Sequence, residues 1–234
     1  MKRALWHSSY EENNYGDLFY ALMRIYQPEK VVELGTKDGY SAYHIARGLQ
    51  ANGSGTLDCY DLFENFKEYY GISSANKAAA QQNLAEFKQI VSLTLADAIG
   101  IDKKYHSVDI LHVDLENSEI VLEKIIPAWI DKVRQLIIIE GGSIERDKID
   151  LNADYVKMPA TDWLNTFSTK RRLALKKILP DTNSKRGQYV VLGGKSKYKN
   201  SNIKKWLSDF CKRRKDIEYF TIEPFPSLTI IRKS

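Results

Sequence analysis

The sequence predicts an α/β protein built on a doubly wound, mostly parallel sheet. Residues 14–140 alternate between short apolar runs, typical of buried strands, and segments with apolar residues at helical spacing. The run QLIIIE at 135–140 is apolar almost throughout, as a central parallel strand covered on both faces should be. Two strand-like runs joined through Pro224 and Pro226 close the chain. We therefore expect five βα units followed by two further strands.

The predicted elements are bounded by breakers and turns, such as Pro28 and the Asn-Gly-Ser-Gly turn at 52–55. Strands are predicted over 31–35, 56–63, 91–96, 108–113, 135–140, 217–225 and 227–232. Helices are predicted over 14–27, 41–50, 75–89, 118–132 and 203–214. Ser118 is the expected N-cap of the helix that follows it.

The connection from Gly142 to Ile217 is far longer than a usual crossover. It is expected to contain a helix near 161–167 and a strand near 188–192. A length of 234 residues suits one α/β domain. We therefore interpret residues 1–234 as a single domain, with residues 143–200 as an insertion that caps the active site.

The composition is that of a soluble globular protein, with 43% hydrophobic and 28% charged residues. No apolar run approaches the ~20 residues that span a bilayer, and the first residues lack the apolar core of a secretory signal. Cys59 and Cys211 lie in or beside apolar segments and form no C-x-x-C pair, so buried free thiols are expected. These observations predict a cytoplasmic protein with no transmembrane segment.

The basic residues are concentrated in one segment, 170–215. It holds sixteen Lys or Arg but only Asp181 and Asp209 as acids, a net charge of +14 against +5 for the whole chain. A solvated surface explains part of this excess, but the density also indicates an anionic partner. A nucleotide-sugar, a phosphorylated glycan, a membrane surface and RNA all remain open.

Residues 31–41, VVELGTKDGYS, form the most informative motif. An apolar strand ends near Glu33, and a turn bounded by Gly35 and Gly39 leads into a helix. This is the arrangement by which α/β proteins bring their backbone against a cofactor. A carboxylate at this point would repel a pyrophosphate, so the motif favours a ligand with hydroxyls or a cation.

The pattern E-x-G-x-x-x-G resembles the first motif of the class I S-adenosylmethionine-dependent methyltransferases. The resemblance implies a seven-stranded sheet closed by an antiparallel hairpin, with S-adenosyl-L-methionine as cofactor. It implies cofactor contacts at Glu33, Gly35, Thr36, Gly39, Ser41, Asp61, Leu62, Asp97, Ala98 and Asp114.

Two of these acids follow neighbouring strands at informative positions. Asp61 lies 22 residues after Gly39, a spacing at which an acid accepts hydrogen bonds from the ribose hydroxyls. Asp58 should point to the other face of the sheet. Asp97 follows the third strand, and the resemblance implies that it accepts from the adenine amino group, although a simple turn role is the alternative.

The segments VDILHVDLENS and IIIEGG resemble the branch that includes sugar and macrolide O-methyltransferases. This implies Asp114, Glu116 and Glu140 as catalytic candidates, and Asp114 with Glu140 as candidate ligands of Mg²⁺. The chain departs from the branch where Asn117 replaces a second His and Gly141 replaces a second acid, which weakens both a general base and a metal site. His112 is expected to be a core residue.

The sequence therefore favours O-methylation of a small or glycan-like acceptor, such as a nucleotide-sugar or polysaccharide. One alternative is an RNA methyltransferase that uses the basic segment, and another is a non-catalytic cofactor-binding subunit. A homodimer is compatible with the resemblance. G-x-G-x-x-G is absent, since position 37 is Lys37, which disfavours a nicotinamide-dependent dehydrogenase.

Overall fold

The computed structural model describes residues 6, 8–66, 75–115, 118–143, 155–159, 189–193, 202–224 and 226–233. The chain divides into two compact units. The first comprises Met1–Asp147 with Asn202–Ser234, and the second comprises Lys148–Ser201.

A seven-stranded sheet forms the first unit. Its strands in chain order are β1 (Lys30–Leu34), β2 (Thr56–Asp61), β3 (Val91–Leu95), β4 (Val108–Val113), β5 (Val133–Glu140), β8 (Ile217–Ile222) and β9 (Leu228–Lys233). The spatial order is β3-β2-β1-β4-β5-β9-β8. The first five strands pair in parallel, whereas β9 is antiparallel to both β5 and β8. The chain order reverses at β1, and ligands of open α/β sheets bind beside such a point.

Within the described residues, five helices flank this sheet. They are α1 (Tyr15–Tyr26), α2 (Tyr40–Asn52), α3 (Lys77–Asn83), α4 (Glu119–Trp129) and α5 (Ile203–Arg213). Three of them begin at a side chain that accepts a backbone N–H of the first turn, namely Asn76, Ser118 and Asn202. None of the helices in the described part of the chain has the length and apolarity that a membrane crossing requires.

The two faces of the sheet carry separate cores. One core packs β-strand residues such as Val32 and Leu111 against Trp129 of α4 and Leu207 of α5. The other packs the alternate strand residues against α1, α2 and Tyr10, which is fully buried. Helix cover on both faces explains why β4 is buried at every position.

The predicted fold class is confirmed, and several details differ, among them the ends of the strand predicted over 56–63, the helix over 118–132 and the strand over 217–225, which stop at Asp61, Trp129 and Ile222. The helix predicted over 75–89 is interrupted: α3 ends at Asn83 and a separate 3-10 turn follows at Ala85–Phe87. Strand β5 begins at Val133, before the apolar run. A strand at Tyr155–Pro159, β6, was not predicted.

The second unit contains a two-stranded antiparallel sheet of β6 and β7 (Tyr189–Gly193). Strand β7 falls on the strand predicted near 188–192. The helix predicted near 161–167 lies outside the described residues. That the insertion caps the active site stays a prediction.

Candidate active site

The glycine loop connects β1 to α2 at the centre of the sheet. Gly35 has φ of +89°, and its N–H donates to the Tyr60 carbonyl at 2.8 Å. The loop closes where the Gly39 N–H donates to the Thr36 carbonyl at 2.8 Å, and α2 begins at the next residue. The predicted strand, turn and helix are therefore present in this order.

The predicted acids lie side by side along the carboxyl edge of the sheet. Strand register places Leu34 opposite both Tyr60 and Val113, and Val113 opposite Ile139. The residues that directly follow Leu34, Tyr60, Val113 and Ile139 are, in the same order, Gly35, Asp61, Asp114 and Glu140. Because residues in register point to the same face of a sheet, these carboxylates share one side of it.

Asp61 holds the glycine loop in place. Its Oδ2 accepts the backbone N–H of Thr36 at 2.6 Å and that of Lys37 at 2.7 Å, and its Oδ1 accepts that of Phe63 at 2.5 Å. Lys37 and Phe63 have positive φ values of 53° and 44°, which are costly for such residues. Three charge-assisted hydrogen bonds offset this strain, so Asp61 organises the loop in addition to its predicted role at the ribose.

Glu33 lies two residues further down β1 and is fully buried. Its Oε1 accepts the Ser41 hydroxyl at 2.6 Å and lies 2.9 Å from His112 Nδ1, and its Oε2 accepts the Cys59 thiol at 3.5 Å. Burial and the Glu33 charge raise the pKa of Cys59 well above its usual range. Glu33 and Ser41 therefore bond to each other inside the protein, and their contact with a cofactor stays a prediction.

His112 continues this buried network on its other side. Its Nε2 lies 3.3 Å from the Tyr10 hydroxyl, and its ring packs edge-on against Phe19. The geometry fits the tautomer in which Nδ1–H donates to Glu33 and Nε2 accepts from Tyr10. His112 is fully buried, as the sequence indicated for a core residue.

Asp97, Leu62 and Ala98 lie near the ends of β2 and β3. Asp97 is exposed, and its Oδ1 accepts the Ile99 N–H at 2.9 Å in a local turn. Ala98 is buried, and Leu62 is half-buried beside Asp61. The turn uses only Oδ1 of Asp97, so its Oδ2 could still accept from the adenine amino group. The adenine assignment stays a prediction.

Asp114 and Glu140 form a hydrogen-bonded carboxyl pair across β4 and β5. Burial, followed by the neighbouring charge and hydrogen bond of Glu140, raises the pKa of Asp114 well above its usual range, and the Lys37 ammonium opposes this. Two carboxyl groups can bond to each other only if one holds a proton. Burial of two neighbouring carboxyl groups therefore favours the form of the pair that holds one proton.

A turn near the N-terminus also reaches this pair. Within the 3-10 helix Ser9–Asn13, the Ser9 hydroxyl donates to Glu140 Oε1 at 3.1 Å. Sequence analysis missed this contact, because 131 residues separate the two side chains and no local pattern links them. The one available signal was Ser8, which caps the turn.

Other predicted residues lie outside the described part of the chain. Glu116 is among them, as is Asn117. Among the residues that the structure describes, no group of three or more His, Cys, Asp or Glu side chains could hold a metal ion. Asp114 and Glu140 are thus two candidate metal ligands, and the described residues supply no third ligand beside them.

The described end of the basic segment pairs locally with acids. Lys205 bonds to Asp209 within α5, and Arg214 bridges Asp131 and Asp216 at 2.7 Å each. These three pairs join basic side chains to neighbouring surface acids. Part of the segment's charge is therefore balanced within the first unit.

The strand order and the acid-edged glycine loop define a class I S-adenosylmethionine-dependent methyltransferase fold. Residues 32–140 match a family described as a methyltransferase domain. The chain thus has the class I methyltransferase fold, and its residues 32–140 are similar to a methyltransferase domain.

Solved structures agree on the fold at low sequence identity. A protein from Klebsiella pneumoniae, provisionally assigned as an O-methyltransferase, is 16% identical with a TM-score of 0.58, covering 95% of this chain and 80% of its own. The O-methyltransferase TomG of Streptomyces achromogenes, involved in tomaymycin synthesis and solved with S-adenosylmethionine, is 16% identical with a TM-score of 0.57, covering 94% and 80%. An O-methyltransferase of Bacillus cereus, solved with S-adenosylhomocysteine, is 13% identical with a TM-score of 0.56, covering 95% and 81%. The comparison with curated proteins gives no significant match.

Proposed function

We propose that the protein transfers a methyl group from S-adenosylmethionine to a hydroxyl of a small or glycan-like acceptor, with the Asp114–Glu140 pair receiving the hydroxyl proton. The observation that carries the proposal is that Asp114 and the buried Glu140 follow the paired residues Val113 and Ile139 at the carboxyl ends of β4 and β5. Strand register places this pair at the same edge of the sheet as Gly35 and Asp61, beside the loop that is expected to hold the cofactor.

The residues at this edge fit the proposed cofactor. Asp61 is half-buried and Asp97 is exposed, so both carboxylates can accept hydroxyl or amino protons. Asp114 is half-buried and adds acceptor oxygens near the Gly35 turn. An edge lined by these acids suits a cationic ligand with ribose hydroxyls and disfavours a pyrophosphate.

The cofactor supplies an activated methyl group on its sulfonium, so the protein has to align the acceptor and remove one proton. As the new oxygen–methyl bond forms and the sulfur–methyl bond breaks, the hydroxyl proton passes to the ionised carboxylate of the pair. A singly protonated pair has one such carboxylate. Glu140 Oε1 accepts the Ser9 hydroxyl, and because a donated hydrogen bond favours the ionised form, we assign the base to Glu140 and the held proton to Asp114.

A divalent cation is the alternative role of the pair. Two carboxylates completed by water can hold Mg²⁺ loosely, and the cation would displace the shared proton. Methyl transfer measured with Mg²⁺ and again with a chelator separates the two roles. Proton transfer to the pair predicts equal rates, whereas a metal role predicts loss of activity in chelator.

The nature of the acceptor rests on the sequence. The resemblance of the β4 and β5 ends to sugar and macrolide O-methyltransferases favours a hydroxylated substrate. The net charge of +14 over residues 170–215 favours an anionic one, such as a nucleotide-sugar or a phosphorylated glycan. We therefore place nucleotide-sugars first among the acceptors to be tried.

Transfer of a radiolabelled methyl group across a panel of nucleotide-sugars, glycan fragments and phenols tests the proposal. Glu140→Gln should lower the rate by about 10²–10⁴-fold, because the pair then lacks its base. Asp58→Asn is the matched control, since Asp58 is a half-buried carboxylate bonded to Tyr105 and Lys30 in a separate cluster. Cofactor binding without turnover on any acceptor would instead indicate a non-catalytic subunit.

A further inference from the structure

The N-terminal turn, defined here as Ser8 and the 3-10 helix Ser9–Asn13, contacts the proposed catalytic pair through one hydroxyl. Ser9 Oγ donates to Glu140 Oε1 at 3.1 Å. Glu140 is only 6% exposed, so a hydroxyl at this position bonds to a carboxylate that has little access to water. Hydrogen bonds to such charged groups are stronger than those between neutral groups.

The turn is anchored on both sides of Ser9. Before it, Ser8 caps the turn by accepting the Tyr10 N–H at 3.3 Å. After it, Tyr10 is fully buried, with its ring edge-on against Phe19 and its hydroxyl 3.3 Å from His112. The position of Ser9 is therefore set by the core and does not depend on a bound acceptor.

The backbone that carries Glu140 is also fixed. The Gly141 N–H donates to the Ser227 carbonyl at 3.0 Å, and the Thr229 hydroxyl donates to the Gly141 carbonyl at 2.8 Å. A Cβ on Gly142 would lie 2.2 Å from Thr229 Oγ1, so the chain passes as close to β9 as glycine allows. The remaining freedom of Glu140 lies in its side-chain torsions, and Asp114 and Ser9 each restrict them.

We propose that Ser9 is a positioning residue that holds the Glu140 carboxylate in the orientation needed to receive the acceptor's proton, which makes the N-terminal turn part of the active site. This inference rests on the methyl transfer proposed above. Ser9 neither gains nor loses a proton in the step. It keeps the receiving oxygen aligned while the hydroxyl proton moves to Glu140 and the methyl group moves from sulfur to oxygen.

Three substitutions at Ser9 test the role of the hydroxyl. Ser9→Ala removes it, while Ser9→Thr and Ser9→Val are nearly equal in shape and differ by a hydroxyl in place of a methyl group. Ser92→Ala is the matched control, because Ser92 also donates to a carboxylate, Asp58 Oδ1 at 2.8 Å, away from the pair. The measurements are kcat and KM with the acceptor found by the radiolabel panel, and cofactor affinity by calorimetry.

We expect Ser9→Ala and Ser9→Val to lower kcat by about 10- to 100-fold with cofactor affinity unchanged, because a misaligned reacting group loses rate without losing binding. Ser9→Thr should retain most of the activity, and Ser92→Ala should keep wild-type kcat. Equal kcat for Ser9→Thr and Ser9→Val would overturn the inference, whether both are active or both are impaired. If the wild-type protein shows no turnover, both the proposed function and the role of Ser9 are overturned. If the wild type is active and Ser9→Ala has the same kcat, only the role of Ser9 is overturned.

Discussion

The backbone of Gly35 packs directly against the backbone of Asp114 at the centre of the sheet. A Cβ on Gly35 would lie 1.8 Å from the Asp114 carbonyl oxygen, and Gly35 has φ of +89°. Neither the clash nor the positive φ can be relieved by rotating a side chain. The first glycine of the loop is therefore required by the neighbouring strand as well as by any ligand.

Replacing this glycine should damage the fold more than replacing another glycine with positive φ. Gly35→Ala is expected to lower the free energy of unfolding by at least about 3 kcal/mol, because backbone strain and a clash with β4 add together. Gly53→Ala is the matched control: Gly53 has φ of +74° but no atom within 4 Å of an added Cβ. It should cost about 1 kcal/mol. Urea denaturation measures both, and equal losses would show that the clash is absent in solution.

Asp61→Ala should affect both the loop and the cofactor. The substitution leaves three backbone N–H groups without their acceptor, so we expect a loss of about 2 kcal/mol in unfolding free energy. Cofactor affinity should weaken by roughly 1–3 kcal/mol, because a disordered loop binds less well and a ribose acceptor is removed. Urea denaturation and calorimetry measure the two effects.

Asp97→Ala should separate the effect on cofactor affinity from the effect on stability. Asp97 is exposed and makes one local hydrogen bond, so its loss should change stability by no more than about 0.5 kcal/mol. If Asp97 binds adenine, the affinity for S-adenosylmethionine should still fall. Unchanged affinity in this variant would reduce Asp97 to a turn residue.

Glu33→Ala should destabilise the protein through its core. The substitution leaves the Ser41 hydroxyl and the His112 ring without their buried acceptor, which should cost about 3 kcal/mol. Glu33→Gln keeps the shape and one carbonyl oxygen and should lose roughly half as much. Thermal or urea unfolding measures this, and an alanine variant as stable as wild type would contradict the buried network.

The Asp114–Glu140 pair should make stability fall as pH rises. Asp114 ionises near 3.8 in the unfolded chain, and its pKa is raised well above that in the folded protein, first by burial and then by Glu140. Between the two values the folded protein binds more protons than the unfolded chain. Each such proton lowers the unfolding free energy by up to ~1.4 kcal/mol per pH unit. Asp114→Asn should therefore lose less stability than wild type as the pH rises above about 4, measured by urea denaturation at several pH values.

Asp58→Asn provides the contrast of opposite sign. Burial alone would raise the pKa of Asp58, but hydrogen bonds from Tyr105, Lys30 and Ser92 outweigh it and lower the pKa below 3.8. The ionised group therefore stabilises the fold at neutral pH, and this contribution is lost as pH falls through the lowered value. The difference between wild type and Asp58→Asn should shrink towards acid pH. If both variants responded to pH in the same direction, the assignment of the two environments would be wrong.

Much of the fold was predictable because its determinants are local. Apolar runs of strand length, helical periodicity and breakers such as Pro28 predicted the alternation of strands and helices, and α1 does end just before that proline. The glycine loop was readable for the same reason. The interruption after Asn83 was missed, since a composition rich in helix formers does not reveal where packing ends a helix.

The sequence by itself determined that acids follow successive strands, because the strands and the turns after them are encoded over a few residues. Only the tertiary structure decided which acids meet. Glu33 lies in register with His112, Asp114 bonds to Glu140, and Ser9 reaches a carboxylate 131 residues away. These pairings depend on strand order and register across the sheet, which join residues too distant in the chain for any local pattern to specify.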